Sequence, residues 1–202
     1  MILKMTLKTA LFALAALAGA AEASPARMAS LSAGQDSLPP IGWVEFCERY
    51  IQECDARRTQ AEAMPLDEKR WKELVRINTG VNAEIEPVTD LEQWGKPEQW
   101  DFPSSGKGDC EDYVLEKRKR LMKAGWPRGS LLITVVRDKK GDGHAVLTAR
   151  TDRGDFILDN QVNKIVLWSD TGYLFVKRQS QENQNRWLTL GNVDTRPFTA
   201  GR

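Results

Sequence analysis

The chain has 202 residues, with 29 Lys and Arg against 28 Asp and Glu, 41% hydrophobic residues and 28% charged ones. That composition excludes a disordered or collagen-like chain and a multi-span membrane protein, and it lacks the basic excess of a nucleic-acid binder. With three cysteines and one histidine, a zinc site of four cysteines, or of two cysteines and two histidines, cannot be assembled from one copy. Any chemistry that needs an imidazole must use His144.

Residues 1–23 place Lys4 and Lys8 around the start of an Ala/Leu-rich run from Thr9 to Ala21 and end in Ala21-Glu22-Ala23. The run is shorter than the roughly 20 residues of a membrane span, and the A-x-A ending fits signal peptidase. The segment therefore predicts a secretory signal peptide removed before Ser24, and a periplasmic mature protein. Residues 24–40 are small and polar and close on Pro39-Pro40, which predicts a flexible lead-in. Residues 41–202 are long enough for one domain with a proper core.

Export places Cys47 and Cys54 in an oxidising compartment, where they can pair. Seven residues on an unbroken helix rise about 10.5 Å, more than the roughly 7 Å between Cα atoms that a disulfide tolerates. A bridge thus requires the helix to break between them; the alternative is two free thiols on one helix. Cys110 is the odd thiol out.

Residues 42–63 predict a helix carrying Trp43, Phe46, Cys47 and Tyr50. A second helix is expected to open at Pro65, with Trp71, Leu74, Val75, Asn78, Val81 and Ile85 as its apolar stripe, and to end at Pro87. Residues 88–109 read as a long packed loop holding Trp94 and Trp100. A third helix runs from Asp109-Cys110 to Ala124, with Tyr113, Val114, Leu121 and Met122 inward and Lys117 to Arg120 mostly toward solvent, and Gly125 stops it. The period then changes from 3.6 to 2. Strands are expected at 130–137, 143–150, 155–160, 173–179 and 186–191, with turns at Lys140–Gly143, Asp152–Gly154 and Asp170–Gly172. Helices followed by an antiparallel meander predict an α+β domain, its N-terminal helices packed on an antiparallel β-sheet.

The stretch Gly106-Lys107-Gly108-Asp109-Cys110-Glu111-Asp112-Tyr113 delivers a cysteine to the first turn of a helix. Free N–H groups and the helix dipole favour a thiolate there and can stabilise an oxyanion. Asp109, Glu111 and Asp112 oppose the thiolate, which hints at a bound metal ion. His144 opens the second strand, and Asp159 ends the third after a tight turn, so antiparallel pairing sets Asp159 opposite a residue between 144 and 147. A one-residue slip would turn it to the other face. In register, the three residues have the order and roles of a Cys-His-Asp triad.

Gly108-Asp109-Cys110-Glu111-Asp112-Tyr113, Gly143-His144-Ala145-Val146-Leu147 and Leu158-Asp159-Asn160 carry a resemblance to the bacterial transglutaminase-like cysteine proteinases, which include the LapG-type periplasmic proteases. Trp43-x-x-Phe46-Cys47, Val81-Asn82 and the Trp94–Trp100 region add weaker agreement. The resemblance implies a papain-like or transglutaminase-like fold, with Cys110 as nucleophile, His144 as general base and acid, and Asp159 as orienter. It also implies calcium dependence, with Asp109 and Glu111 as ligands. As protein substrate it implies an exported or outer-membrane protein such as a large surface adhesin, and as partner an inner-membrane receptor for cyclic di-GMP. A protein-glutamine acyltransferase and a non-catalytic binding module of the same fold are the alternatives.

Overall fold

The computed structural model describes residues 30–54 and 61–191. The expected signal peptide, the first residues of the lead-in and the C-terminal residues from 192 onward lie outside the described residues. Strand β1 (Ala33–Ser37) pairs with β9 (Trp187–Leu190), so the segment expected as a flexible lead-in contributes an edge strand. Helix α1 (Ile41–Arg49) is shorter than the expected 42–63. It gives way to a 3-10 turn at Ile51–Cys54, and this break brings Cys47 and Cys54 to a Cα separation of 5.5 Å, where they form a disulfide.

Helix α2 (Glu68–Glu84) starts later than Pro65 predicts. Met64 N–H donates to Arg150 O and Leu66 N–H to Asp152 Oδ1, so Pro65 sits in an extended segment. Asp67 is the N-cap instead, its side chain accepting from Arg70 N at 2.7 Å. Leu74, Ile77, Asn78 and Val81 are buried, whereas Val75 of the expected stripe is 37% exposed.

The long loop contains a two-residue strand β2 (Glu86–Pro87), a short helix α3 (Asp90–Trp94) opened by a Thr89–Glu92 capping box, and a two-residue strand β3 (Lys107–Gly108) parallel to β2. Trp100 is fully buried against Trp43 and Trp187.

Helix α4 (Cys110–Lys123) places Glu111 and Asp112 in its first turn and Arg120 and Lys123 in its last, matching the macrodipole. Gly125, at φ 91°, ends it, and Trp126 N–H closes back on Leu121 O. Lys117 and Arg118 do not face solvent: they are 0% and 4% exposed. Lys117 Nζ lies 5.8 Å from the Tyr113 ring centroid, and Arg118 donates to Gln184 Oε1. A helix enclosed on most sides buries more than its apolar stripe, and long cationic stems pack along apolar surface.

Strands β4 (Leu131–Arg137), β5 (Gly143–Thr151), β6 (Gly154–Leu158), β7 (Val166–Leu167) and β8 (Leu174–Gln179) follow. With β1 and β9 they form an antiparallel sheet in the order β1-β9-β8-β4-β5-β6-β7. This departs from a simple meander, because the chain returns from β7 at one edge to set β8 beside β4. Ala145, Leu147 and Ala149 of β5 join the large core that contains the helices, while Val146 joins a smaller cluster with Leu31, Val136, Ile157, Phe175 and Leu190. Both faces of the central strands are thereby covered, and β4 and β5 are buried along most of their length.

Candidate active site

Helix α4 and strand β5 meet at the thiol. Cys110 is the first residue of α4 and is 2% exposed; Ala145 N–H donates to its Sγ at 3.4 Å. The Cys110 thiol also donates to Glu111 Oε2 at 3.0 Å. Burial first, then the charges of Glu111 and Asp109, push the thiol pKa well above its ordinary value.

The residue before Ala145 is His144. Its Nε2 lies 2.9 Å from Asp159 Oδ1, and its Nδ1, also buried, has no hydrogen-bond partner among the described residues. The pairing Leu147–Leu158 and Thr148–Ile157 across the 151–154 turn sets this register. Asp159 accepts two further bonds, from Gln161 N–H on Oδ1 and from Tyr173 Oη on Oδ2, and its carbonyl accepts from Asn82 Nδ2 at 2.8 Å. Burial works to raise the Asp159 pKa, but the His144, Tyr173 and Gln161 donors outweigh it and hold the carboxyl below the ordinary range.

A second group of carboxylates lies at the same helix end. Asp90, Asp109 and Asp112 are all buried and offer oxygens within 4.8 Å of one another. The cluster is braced by backbone donors: Gln99 N–H to Asp90, Asp90 N–H to Asp109 Oδ2, and Asp101 N–H to Asp112 Oδ1. Asp109 Oδ1 is buried and unpartnered. Burial raises Asp90 to about 6 and Asp112 to about 9, with neighbouring carboxylates adding to the effect. Gly108 makes room for the cluster, since a Cβ there would lie 2.5 Å from Asp112 Oδ2. Three converging, buried carboxylate oxygens suit a hard cation.

A thiol at a helix start, an imidazole on the adjoining strand and a carboxylate orienting it have the organisation of a cysteine proteinase site. The family model for bacterial transglutaminase-like cysteine proteinase BTLCP matches residues 33–195. The chain belongs to this family. Among solved structures, the chain is similar to Legionella pneumophila LapG, with 27% identity over 58% of this chain and 66% of that one and a TM-score of 0.50. The match thus spans just under two thirds of that LapG chain. The EGTA-treated LapG structure matches with 26% identity, 60% and 70% coverage and a TM-score of 0.50. The calcium-bound LapG structure shares the fold over 76% of this chain and 93% of that one, with a TM-score of 0.52 and 22% identity. No curated protein sequence matches the chain significantly.

Of the residues singled out in the sequence, Cys110 lies beside the start of β5 and His144 and Asp159 are in contact. Asp109 joins the acidic cluster; Glu111 is not among its three members, but its carboxyl meets that of Asp109 while its Oε2 accepts from the thiol. Burial and the Asp109 charge raise the Glu111 pKa far above that of an ordinary carboxylate. Around these residues the structure adds Asp90 and Tyr173, which the sequence does not single out, and Asp112, which the sequence sets beside the thiol, joins the cluster. Asp112 lies inside the central motif, and Asp90 follows the Thr89-x-x-Glu92 capping signature, which marks a helix start but not a ligand. Tyr173 had no local signal beyond the turn before it.

Proposed function

We propose that this protein is a periplasmic, calcium-dependent cysteine endopeptidase that cuts an exported or outer-membrane protein, a large surface adhesin being the leading candidate. The observation that carries this reading is the junction of α4 with β5. There the Ala145 amide touches Cys110 Sγ, while the adjacent His144 keeps Nε2 on Asp159 and leaves Nδ1 without a partner.

In this reading His144 holds its proton on Nε2, oriented by Asp159, and Nδ1 takes the thiol proton of Cys110. The thiolate attacks the scissile carbonyl carbon, and the carbonyl oxygen gains the negative charge. The free N–H groups at the start of α4 would serve as donors to that oxyanion. When the tetrahedral adduct collapses, the C–N bond breaks and Nδ1–H protonates the leaving amine, leaving a thioester. Water then gives a proton to Nδ1 and its oxygen to the acyl carbon; the C–S bond breaks, the acid leaves and Nδ1–H returns the proton to the sulfur.

Asp90, Asp109 and Asp112 are the residues that would hold calcium. Bound there, the cation would neutralise carboxylates that otherwise disfavour the thiolate. Burial of three like-charged groups together, with the unpartnered Asp109 Oδ1, supports this assignment over solvated helix-start carboxylates. An inner-membrane receptor for cyclic di-GMP that sequesters the enzyme is the partner the reading implies.

The test is incubation of the purified mature protein with extracted outer-membrane proteins, followed by mapping of new N-termini. New ends should form with calcium, vanish in chelator and be absent with Cys110→Ala. Calcium-loaded protein that makes no new ends would overturn the endopeptidase reading. Incorporation of an added amine at glutamine side chains would replace it with acyl transfer.

A further inference from the structure

We propose that Tyr173 is a positioning residue of the site: its phenol locks the Asp159 carboxylate and its ring edge sets the plane of the His144 imidazole. This inference rests on the reading of Cys110, His144 and Asp159 as a triad.

An aspartate carboxylate rotates readily about its last torsion, which is broad and two-fold. Two donors, His144 Nε2 and Gln161 N–H, meet on Oδ1, each at 2.9 Å. Both of these bonds lie on one oxygen, so the planar group can still pivot about Oδ1 by combined rotation of its two torsions. Tyr173 Oη donates to Oδ2 at 2.6 Å, a short, charge-assisted bond, and so closes the third side. The same side chain meets the imidazole at right angles, with ring centroids 5.9 Å apart and an interplanar angle of 89°. That edge-to-face contact resists rotation of the imidazole out of its plane.

The backbone that carries Tyr173 is itself held. Gly172 takes φ 71° after the 3-10 turn at Trp168–Asp170, and Tyr173 N–H donates to Thr171 Oγ1 at 3.1 Å. The Thr171 hydroxyl in turn donates to Trp168 O at 2.8 Å. Tyr173 and Asp159 both line a cavity of about 190 Å³ with Ile157, Val162, Lys164 and Val166. The phenol and the Asp159 side chain thus share one wall of that cavity. Burial and the Asp159 charge raise the Tyr173 pKa, which keeps its proton available as a donor.

A fixed carboxylate holds one imidazole tautomer, with the proton on Nε2 and the lone pair on Nδ1. Without the phenol the carboxylate can turn, and the imidazole gains access to the other tautomer and to other ring angles. The expected cost is in kcat, because Tyr173 acts through Asp159 and His144 and not on the substrate.

His144 is the sole histidine of the chain, so its 15N imidazole resonances are unambiguous in untagged protein labelled at histidine. The experiment compares the parent, Tyr173→Phe, Tyr173→Leu and Cys110→Ala in calcium, by kcat and KM on a cleaved peptide, by melting temperature and by the imidazole spectrum. Tyr173→Phe should melt like the parent and lose roughly ten- to a hundredfold in kcat with KM changed less than about twofold. Its Nε2 signal should shift away from that of the fixed Nε2–H tautomer. Tyr173→Leu, which also lacks the ring edge, should lose more kcat and broaden the imidazole signals. Parent-like kcat and imidazole shifts in Tyr173→Phe would overturn the proposal, and so would unfolding of both variants, which would make the residue structural. The spectrum does not depend on turnover. An active Cys110→Ala therefore refutes the triad, whereas unchanged imidazole shifts refute the role of Tyr173.

Discussion

His144 Nε2 and Asp159 Oδ1 are 2.9 Å apart although 15 residues separate them in the chain. The contact depends on one antiparallel register, in which Leu147 faces Leu158. Moving β6 by one residue would turn Asp159 to the opposite face. Asp159→Asn keeps the size of the side chain and removes its charge, so the protein should fold. Peptide cleavage should fall by about 10⁴, as when the orienting aspartate of a serine-protease triad is changed to asparagine. Steady-state kinetics with circular dichroism on the same samples checks this; parent-like turnover would remove Asp159 from the site.

Acid stability should report on the same carboxyl. Its donors hold the folded-state pKa of Asp159 below the ordinary value, so the unfolded chain binds more protons there between the two values. The stabilisation is complete above the unfolded pKa of about 3.9 and is lost as pH falls through the folded one. Urea unfolding at a series of pH values from about 5 down to 2 should show a shallower acid loss for Asp159→Asn than for the parent. Identical slopes would mean that the hydrogen bonds do not favour the charged form.

Calcium should bind through Asp90, Asp109 and Asp112. Calorimetry should detect binding, and the melting temperature should rise with calcium concentration by mass action. Asp90→Asn and Asp112→Asn should weaken both effects. Gly108→Ala should weaken them as well, because the new Cβ would meet Asp112 Oδ2 at 2.5 Å. Glu111→Gln should weaken binding less than these, since Glu111 Oε2 is turned to the thiol and its carboxyl meets only Asp109 of the three. Equal loss of binding in Glu111→Gln would return that residue to the ligand set.

The thiols give a fourth expectation. Cys47 and Cys54 are bonded and Cys110 is free. Protein denatured without reductant should take one alkyl group, on Cys110, and reduced protein should take three. Replacing both bonded cysteines by alanine should cost about 2–3 kcal/mol in the chain-entropy model for so short a loop, measurable by urea unfolding. Two or three adducts before reduction would refute the disulfide.

Local chemistry made some parts legible. Gly108 followed by Asp109 and the start of an amphipathic run marked the beginning of α4 at Cys110, and Gly125 marked its end, because capping and dipole effects act within a turn. Alternation marked β4, β5, β6, β8 and β9, and the Asp152–Gly154 turn brought β5 and β6 together. The disulfide spacing correctly demanded a break after Cys47, which the 3-10 turn at Ile51–Cys54 supplies.

Other features depend on which surfaces meet. Lys117 and Arg118 look solvent-facing by composition, yet they are buried because the sheet and the N-terminal helices enclose α4. The lead-in becomes β1 only because β9 offers it an edge. Asp90 joins Asp109 and Asp112 only because β2 pairs with β3 and folds α3 back onto the start of α4. Tyr173 reaches Asp159 only because the strand after it returns to β4 instead of continuing beyond β7.

The sequence by itself determined the local elements, the helix-start position of the thiol and the presence of one histidine for it to use. Each of these follows from interactions spanning a few residues. The tertiary structure decided which carboxylates form the acidic cluster, which way Glu111 turns and what holds Asp159. Those outcomes rest on strand register and on packing between segments far apart in the chain, and short-range periodicity carries no information about either.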